Sequence, residues 1–363
     1  MRIEETAMKK ALIAMSGGVD SSVAAYLTQE AGYACIGCTM KLYDNEDAGI
    51  AREKTCCSLD DIEDARAVAN RLGMPYYVFN FTEEFREQII GKFARSYLCG
   101  MTPNPCIDCN RCMKFEKLLD RAAVLGCDKI VTGHYAQVVE TAQGYQLRKG
   151  ADAGKDQSYV LYMLTQQQLA HILFPLGGMP KAEVRKIAEE HGFVNAHKRD
   201  SQDICFVPDG DYARVIEAQT GITPPEGDFV DTKGNVIGRH AGIIHYTVGQ
   251  RRGLGLELGH AAYVCGIDAA QNRVVIGDSK DLFSDTVHVQ DVNWIAGTPP
   301  QEALRCAAKI RYRHPEQPAE LTFIGEREAV LHFDVPQRAV TAGQAAVFYD
   351  GDIVLGGGTI VTK

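Results

Sequence analysis

Four cysteines crowd one short stretch of this chain: Cys99, then Cys106, Cys109 and Cys112 within Thr102-Pro103-Asn104-Pro105-Cys106-Ile107-Asp108-Cys109-Asn110-Arg111-Cys112. Two prolines and two asparagines predict a loop, where a thiol is exposed and has no packing reason to be present. Arg111 and Lys114 would favour the thiolate, the form that attacks electrophiles and binds metals. Cys205, in Ser201-Gln202-Asp203-Ile204-Cys205-Phe206, is a fifth candidate far away in sequence. Three readings stand: three ligands for zinc or an iron–sulfur cluster, a catalytic pair of Cys109 and Cys205, or inert thiols. The inert reading fits Cys35, Cys38, Cys127, Cys265 and Cys306, which sit in or beside apolar runs, while Cys56 and Cys57 are ambiguous.

A second constellation is Ser16-Gly17-Gly18-Val19-Asp20-Ser21-Ser22. Two glycines permit a tight turn with close backbone approach, the hydroxyls add donors, and backbone amides at a helix N-terminus attract anions. Together they would cradle phosphate. The string lacks the Gly-Lys-Ser/Thr ending of a Walker loop and is not the dinucleotide GxGxxG pattern. Taken as glycines alone it would be an ordinary strand-to-helix turn with serine caps.

The elements that must position these residues follow from periodicity. The runs Ala11 to Met15, Tyr33 to Cys38, Tyr76 to Phe81 and Lys129 to Thr132 are short and rich in β-formers, so they predict strands. A helix is expected from near Val23. Another follows a capping box of Ser58 and Asp61, carries Ile62, Ala65, Ala69 and Leu72 on one face, and stops at Gly73; a third begins at Phe115 with Leu118, Leu119 and Ala122 inward. Strands alternating with helices imply a parallel sheet covered on both faces. Ala136 to Val139 and Tyr145 to Leu147 flank a Gln143-Gly144 turn and predict a hairpin, Ser158 to Leu164 and Lys181 to His191 predict helices, and Pro208 to Gly227 reads as a boundary. Beyond it, the runs Ala261 to Ile267, Arg273 to Ile276, Thr286 to Val289, Ala307 to Arg313, Leu321 to Ile324 and Ala329 to Phe333 predict an antiparallel barrel or sandwich.

In Ala307 to Arg313, a period of two would set Lys309, Arg311 and Arg313 on one face and Ile310 and Tyr312 on the other, a cationic row suited to a phosphate backbone or an ordinary solvated edge. Arg251-Arg252 adds a second cationic point. These positions matter because the 363 residues carry a net charge of −9, which taken alone argues against nucleic acid. At 45% apolar residues the chain can bury real cores, so disorder is excluded. No apolar run approaches the roughly 18 residues of a membrane span, and Met1 to Lys10 lacks a signal-like apolar region. A cytoplasmic protein is expected, where 12 cysteines are not a disulfide framework.

The whole glycine string resembles the pyrophosphatase-type loop (PP-loop) of ATP-pyrophosphate lyases. With Thr102-Pro103-Asn104-Pro105 and Cys109-Asn110, Thr132-Gly133-His134-Tyr135-Ala136, Lys155-Asp156-Gln157-Ser158-Tyr159, Ser201 to Phe206, Tyr246-Thr247-Val248-Gly249-Gln250-Arg251, Arg311-Tyr312-Arg313 and Gly343-Gln344-Ala345-Ala346-Val347-Phe348-Tyr349, the chain resembles the tRNA-specific 2-thiouridylase family over nearly its whole length. The resemblance implies an α/β PP-loop ATP-binding catalytic domain over 1–215, a small mostly-β domain over 216–283 and a tRNA-contacting antiparallel β-barrel over 284–363.

The activity it implies is replacement of the 2-oxygen of the tRNA wobble uridine by sulfur, with ATP first adenylating that oxygen. ATP would meet Ala14, Met15, Ser16, Gly17, Gly18, Val19, Asp20, Ser21, Met40 and Gly133, with magnesium neutralising phosphate charge. Cys205 would carry a persulfide delivered by a sulfur-carrier protein or cysteine desulfurase, and Cys109 would free the sulfur or pair with Cys205 as a disulfide. Asn104, Pro105 and Cys106 would meet the target base; His134, Lys155, Asp156, Gln157, Arg311, Tyr312 and Gln344 would touch tRNA. A monomer is expected. Three departures stand out: Cys106 where many members carry Asp, an extra Cys112, and Tyr43 where related sequences often have Trp. With Cys106, Cys109 and Cys205 together, a three-cysteine iron–sulfur site competes with the persulfide. A PP-loop enzyme that amidates or ligates a small molecule, and a non-catalytic RNA-binding module, are the two competing functions.

Overall fold

A computed structural model describes residues 8–43, 59–200 and 204–362. Ser58 of the expected capping box, Cys56, Cys57 and Ser201 to Asp203 lie outside the described residues. The chain divides into two compact units, the first formed by residues 1–86, 107–208 and 352–354, the second by 87–106, 209–351 and 355–363.

In the first unit, the short apolar runs become strands β1 (Lys10–Ala14), β2 (Ala34–Lys41), β3 (Tyr76–Asn80) and β4 (Lys129–Val131). A hairpin of β5 (Ala136–Thr141) and β6 (Gly144–Lys149) follows, and then a two-residue strand β7 (Ile172–Leu173). Among the described residues β3-β2-β1-β4-β7 form one parallel sheet in that order. Side chains alternate across β1, so Ala11 and Ile13 enter one core and Leu12 the other. Helices α1 (Val19–Glu30) and α2 (Leu59–Arg71) supply Val23, Ala24, Ala65 and Ala69 to the first core. Helix α3 (Leu118–Val124) closes the second with Leu118 and Ala122, and α4 (Lys181–Glu190) brings Val184 and Ala188 back to the first. This is the doubly covered parallel sheet that the alternation implied.

Three expectations are corrected. Helix α1 starts at Val19, not near Val23, because Gly18 takes the extended N-cap conformation (φ −92°, ψ 160°) inside the motif. The segment expected as a loop up to Cys112 is helical from Pro105: Asn104 Oδ1 accepts from the Cys106 amide at 3.1 Å, so Asn-Pro is an N-cap followed by proline in the first turn. The chain then widens into a π-helical run, Cys109–Lys117, before α3. The helix expected over Ser158 to Leu164 is a single 3-10 turn, Ser158–Leu161.

The second unit contains α5 (Tyr212–Thr220), where a boundary was expected. Asp211 caps it by accepting from the Arg214 amide at 3.1 Å, and Gly221 ends it at φ +66°. Strands β8 (Gly227–Asp231), β9 (Val236–His240), β10 (Tyr263–Asp268) and β11 (Arg273–Gly277) pair in the order β10-β11-β8-β9, with Phe229, His240 and Tyr246 in edge-on ring contact. Six further strands, β12 (Phe283–Trp294), β13 (Leu304–Lys309), β14 (Gln317–Gly325), β15 (Glu328–Arg338), β16 (Ala345–Asp350) and β17 (Ile353–Val361), run β12-β15-β14-β13-β16-β17. The β12–β17 pairing closes them into an antiparallel barrel around Val287, Leu321, Leu331 and Phe348. Strand β13 stops at Lys309, which corrects the expected strand to Arg313. Ile310 is buried, and residues 311–314 turn, with the His314 amide donating to the Arg311 carbonyl at 3.1 Å. The row of three cations on one strand face does not form.

Candidate active site

Strand β1 leads into the glycine string, and the neighbouring parallel strands β2 and β4 end on the same edge of the sheet, β2 one residue after Met40 and β4 two residues before Gly133. The chain proceeds from β1 to one side through β2 and β3 and later to the other through β4 and β7, so this edge is a topological switch point, where ligands bind open α/β sheets. Gly17 has φ +74°, and a methyl group there would collide with the Asp61 carbonyl; a Cβ on Gly133 would lie 2.8 Å from the Ser21 amide nitrogen. Glycine is required at both.

The loop is braced from within and from behind. Ser21 Oγ accepts from the Ser16 amide at 3.2 Å and donates to the Gly18 carbonyl at 2.9 Å. Buried Asn195 donates to the Gly17 carbonyl at 3.0 Å and to Ser22 Oγ at 2.9 Å, and among the described residues its Oδ1 has no hydrogen-bond partner. Among the described residues no side chain caps the N-terminus of α1, which leaves its first amides for an anion. Asn195 carries no signal in the sequence, since it sits in an irregular segment after α4.

Around Asp20 lies a set of charges that sequence reasoning also missed. Tyr135 donates its hydroxyl to Asp20 at 2.7 Å, and Lys181 donates to both Asp20 oxygens at 2.6 and 2.7 Å. Lys181 also pairs with Asp200 at 2.8 Å, and Asp200 takes Lys155 at 2.7 Å and Arg185 at 3.2 Å. Burial acts against ionised Asp200, but hydrogen bonds from Lys155 and Lys181 outweigh it and hold its carboxyl below the usual range.

The sulfur-bearing residues are fixed by different neighbours. Half-buried Cys109 opens the π-helical run, where Asn110 is buried and donates to the Val160 carbonyl at 3.0 Å. Arg111 is committed to Asp108 at 2.9 Å, so part of the positive charge expected to favour a thiolate is spent on a carboxylate. Cys205 is half-buried; its carbonyl accepts from Tyr43 at 2.7 Å, and Phe206 packs edge-on against Phe85. Cys109 and Cys205 both carry reduced thiols, and Cys99 and Cys106 are exposed. Burial pushes the thiols of Cys35 and Cys306 up to about 11 and about 12, raises Cys38 further, and raises Cys127 and Cys265, which is the behaviour of packing cysteines. Among the described residues no three His, Cys, Asp or Glu side chains are placed together to hold a metal ion.

The residues expected to touch tRNA carry local duties. Asp156 accepts from the Gly150 and Ser158 amides at 3.0 and 3.1 Å, and Gln157 accepts from the Tyr135 amide at 3.0 Å. His134 is buried against Phe115 and Phe174 with Nδ1 2.6 Å from Thr132 Oγ1; burial, and then Lys114, hold its imidazole neutral. In the second unit Gln344 donates to the Thr102 carbonyl at 2.8 Å, just ahead of Asn104, Pro105 and Cys106. Arg311 donates to the Arg338 carbonyl at 2.6 Å, and Tyr312 is exposed.

A phosphate-binding loop at the switch point of a parallel sheet, joined to a β-barrel, defines a PP-loop nucleotide-binding protein carrying a β-barrel domain. Residues 9–209 match the family model described as tRNA methyl transferase HUP domain, 218–278 the PRC-barrel domain of the same series, and 284–360 an aminomethyltransferase beta-barrel domain. The chain is 51% identical to the tRNA-specific 2-thiouridylase MnmA of Lachnoclostridium phytofermentans over 98% of this chain and 100% of that protein. It is 49% identical to that of Clostridioides difficile (97% and 98%) and 50% identical to that of Geotalea uraniireducens (99% and 96%). The chain belongs to the tRNA-specific 2-thiouridylase family.

Proposed function

We propose that this protein converts the wobble uridine of tRNA to 2-thiouridine at the expense of ATP. The observation that carries the reading is the presence, in one compact unit, of an uncapped phosphate loop at a sheet switch point and two reduced thiols, Cys109 and Cys205. Ala14, Met15, Ser16 to Ser21, Met40 and Gly133 receive ATP, Asp20 through its main-chain amide and not through its carboxylate, which Lys181 and Tyr135 hold. The uridine 2-oxygen attacks the α-phosphorus, the bond to the β-phosphate oxygen breaks, and pyrophosphate leaves. The activated oxygen now departs as AMP, which an unactivated urea-like carbonyl could not do. Magnesium bound with the nucleotide would offset phosphate charge.

Sulfur enters as a persulfide on Cys205, delivered by a sulfur-carrier protein or desulfurase. The Cys109 thiolate attacks the Cys205 sulfur, the sulfur–sulfur bond of the persulfide breaks, and hydrosulfide leaves to attack C2 of the adenylated base. A Cys109–Cys205 disulfide remains, and a cellular dithiol reduces it. Asn104, Pro105 and Cys106 meet the base, while His134, Lys155, Asp156, Gln157, Arg311, Tyr312 and Gln344 contact or shape the tRNA-binding surface. The neutral His134 serves there as a hydrogen-bonding group rather than a cation.

Purified protein given ATP, a persulfide donor and unmodified tRNA is expected to form 2-thiouridine, detected by nucleoside mass spectrometry. Cys109→Ser should slow product formation at least 100-fold while leaving ATP binding intact, and equal rates would overturn the sulfur step. Activity in iron-free, colourless protein would separate the persulfide route from a cluster.

A further inference from the structure

Lys181 opens α4 immediately after Pro180 and leaves only 10% of its side chain exposed. An ammonium has three protons, and each has an acceptor here: Asp20 Oδ1 at 2.6 Å, Asp20 Oδ2 at 2.7 Å and Asp200 Oδ1 at 2.8 Å. Asp20 stands in the first turn of α1, two residues after the Gly18 N-cap. A carboxylate in that turn is drawn to the helix's own unsatisfied amides, and those are the amides a phosphate needs. Left unrestrained, Asp20 would both occupy the donors and repel a polyanion. Lys181 takes both carboxylate oxygens from one side and Tyr135 takes Oδ1 from another, which keeps Asp20 off the helix terminus. Asp200, with Lys155 and Arg185, fixes the lysine from behind.

We infer that Lys181 is a positioning residue for nucleotide binding, which neutralises Asp20 and holds its carboxylate away from the amides of the phosphate loop. The inference rests on the reading that this loop receives ATP. Lys181 acts through Asp20 and not on the phosphates themselves, and this sets its signature apart from that of a lysine that binds phosphate or braces the fold.

The test uses the full chain and equilibrium binding of ATP without tRNA. Lys181→Met, which keeps the stem and removes the charge, is expected to raise the ATP dissociation constant at least tenfold, with Lys181→Gln as a second variant should the first fail to fold. Adding Asp20→Asn to either variant should return the constant to within threefold of wild type, because the restrained charge has gone. ATP binding by Lys181→Met and Lys181→Gln equal to wild type, or a double variant that stays weak, overturns the inference. Wild-type protein that binds ATP but forms no 2-thiouridine overturns the proposed reaction and leaves this inference standing; wild-type protein that binds no ATP overturns both.

Discussion

Asn195 spends both hydrogens of its amide on the phosphate loop, one on the Gly17 carbonyl and one on Ser22 Oγ, while among the described residues its own Oδ1 goes unmatched. Truncation to alanine removes two buried hydrogen bonds but also the unpaired oxygen, so the loss belongs at the low end of buried-polar substitutions, about 1 kcal/mol. Asn195→Ala should therefore unfold at slightly lower urea while its ATP affinity falls severalfold, since the loop loses its brace; unchanged affinity would show that the loop holds its shape alone. His134 gives a second prediction at this scale. Its folded pKa is depressed by burial and Lys114 below its ordinary 6.5, so the unfolded chain takes up the proton first. Stability from this residue is complete above about pH 6.5 and is lost as pH falls below it, by up to about 1.4 kcal/mol per pH unit for one proton. His134→Gln should flatten the fall in melting temperature between pH 7 and 5.5. The remaining slope should come from His240 and His314, which burial depresses in the same direction.

At the scale of elements, α1 forgoes a cap that its sequence could supply. Gly18 has φ −92° and ψ 160°, a conformation open to any residue, and a Cβ there meets nothing closer than Ser16 Oγ at 3.6 Å. Gly18→Asp should fit, cap the helix and hold or raise stability by a few tenths of a kcal/mol. Its carboxylate should nevertheless compete with phosphate for the same amides and lower ATP affinity at least tenfold. Calorimetric melting and ATP titration of one variant measure both, and weakened melting with normal binding would contradict the assignment of those amides. The parallel sheet is legible in sequence because β1 to β4 are apolar runs too short for helices, and the phosphate loop because its residue types serve few other purposes. The helix through Cys109 is not legible. Asn104-Pro105 has the composition of a turn, and only the cap bond to the Cys106 amide reveals a helix start. Strand β13 is misjudged for a related reason: Ile310 continues the apolar alternation, yet it is buried at the first step of a turn. Lys181 and Asn195 leave no local trace, since their partners lie 161 and 178 residues away.

For the whole molecule, the net charge of −9 sets a poor average field for RNA, and binding must depend on where cations stand. Arg313 is exposed beside Tyr312, on the turn after β13. Arg327 is exposed at the β14–β15 turn of the same barrel, paired with Asp291 at 3.4 Å. Neutralising either residue changes the net charge by the same single unit, so the two variants separate global from local electrostatics. Each phosphate contact releases condensed counterions and adds roughly 0.7 to 0.9 to the slope of log affinity against log salt. Arg313→Gln is expected to weaken tRNA binding severalfold near 0.1 M salt and to reduce that slope by about one contact, whereas Arg327→Gln should leave affinity and slope as in the wild type. Filter binding across a salt series measures both quantities. Equal losses in the two variants would mean that the acidic average governs recognition and that the cations around Arg311 are not a tRNA-binding surface.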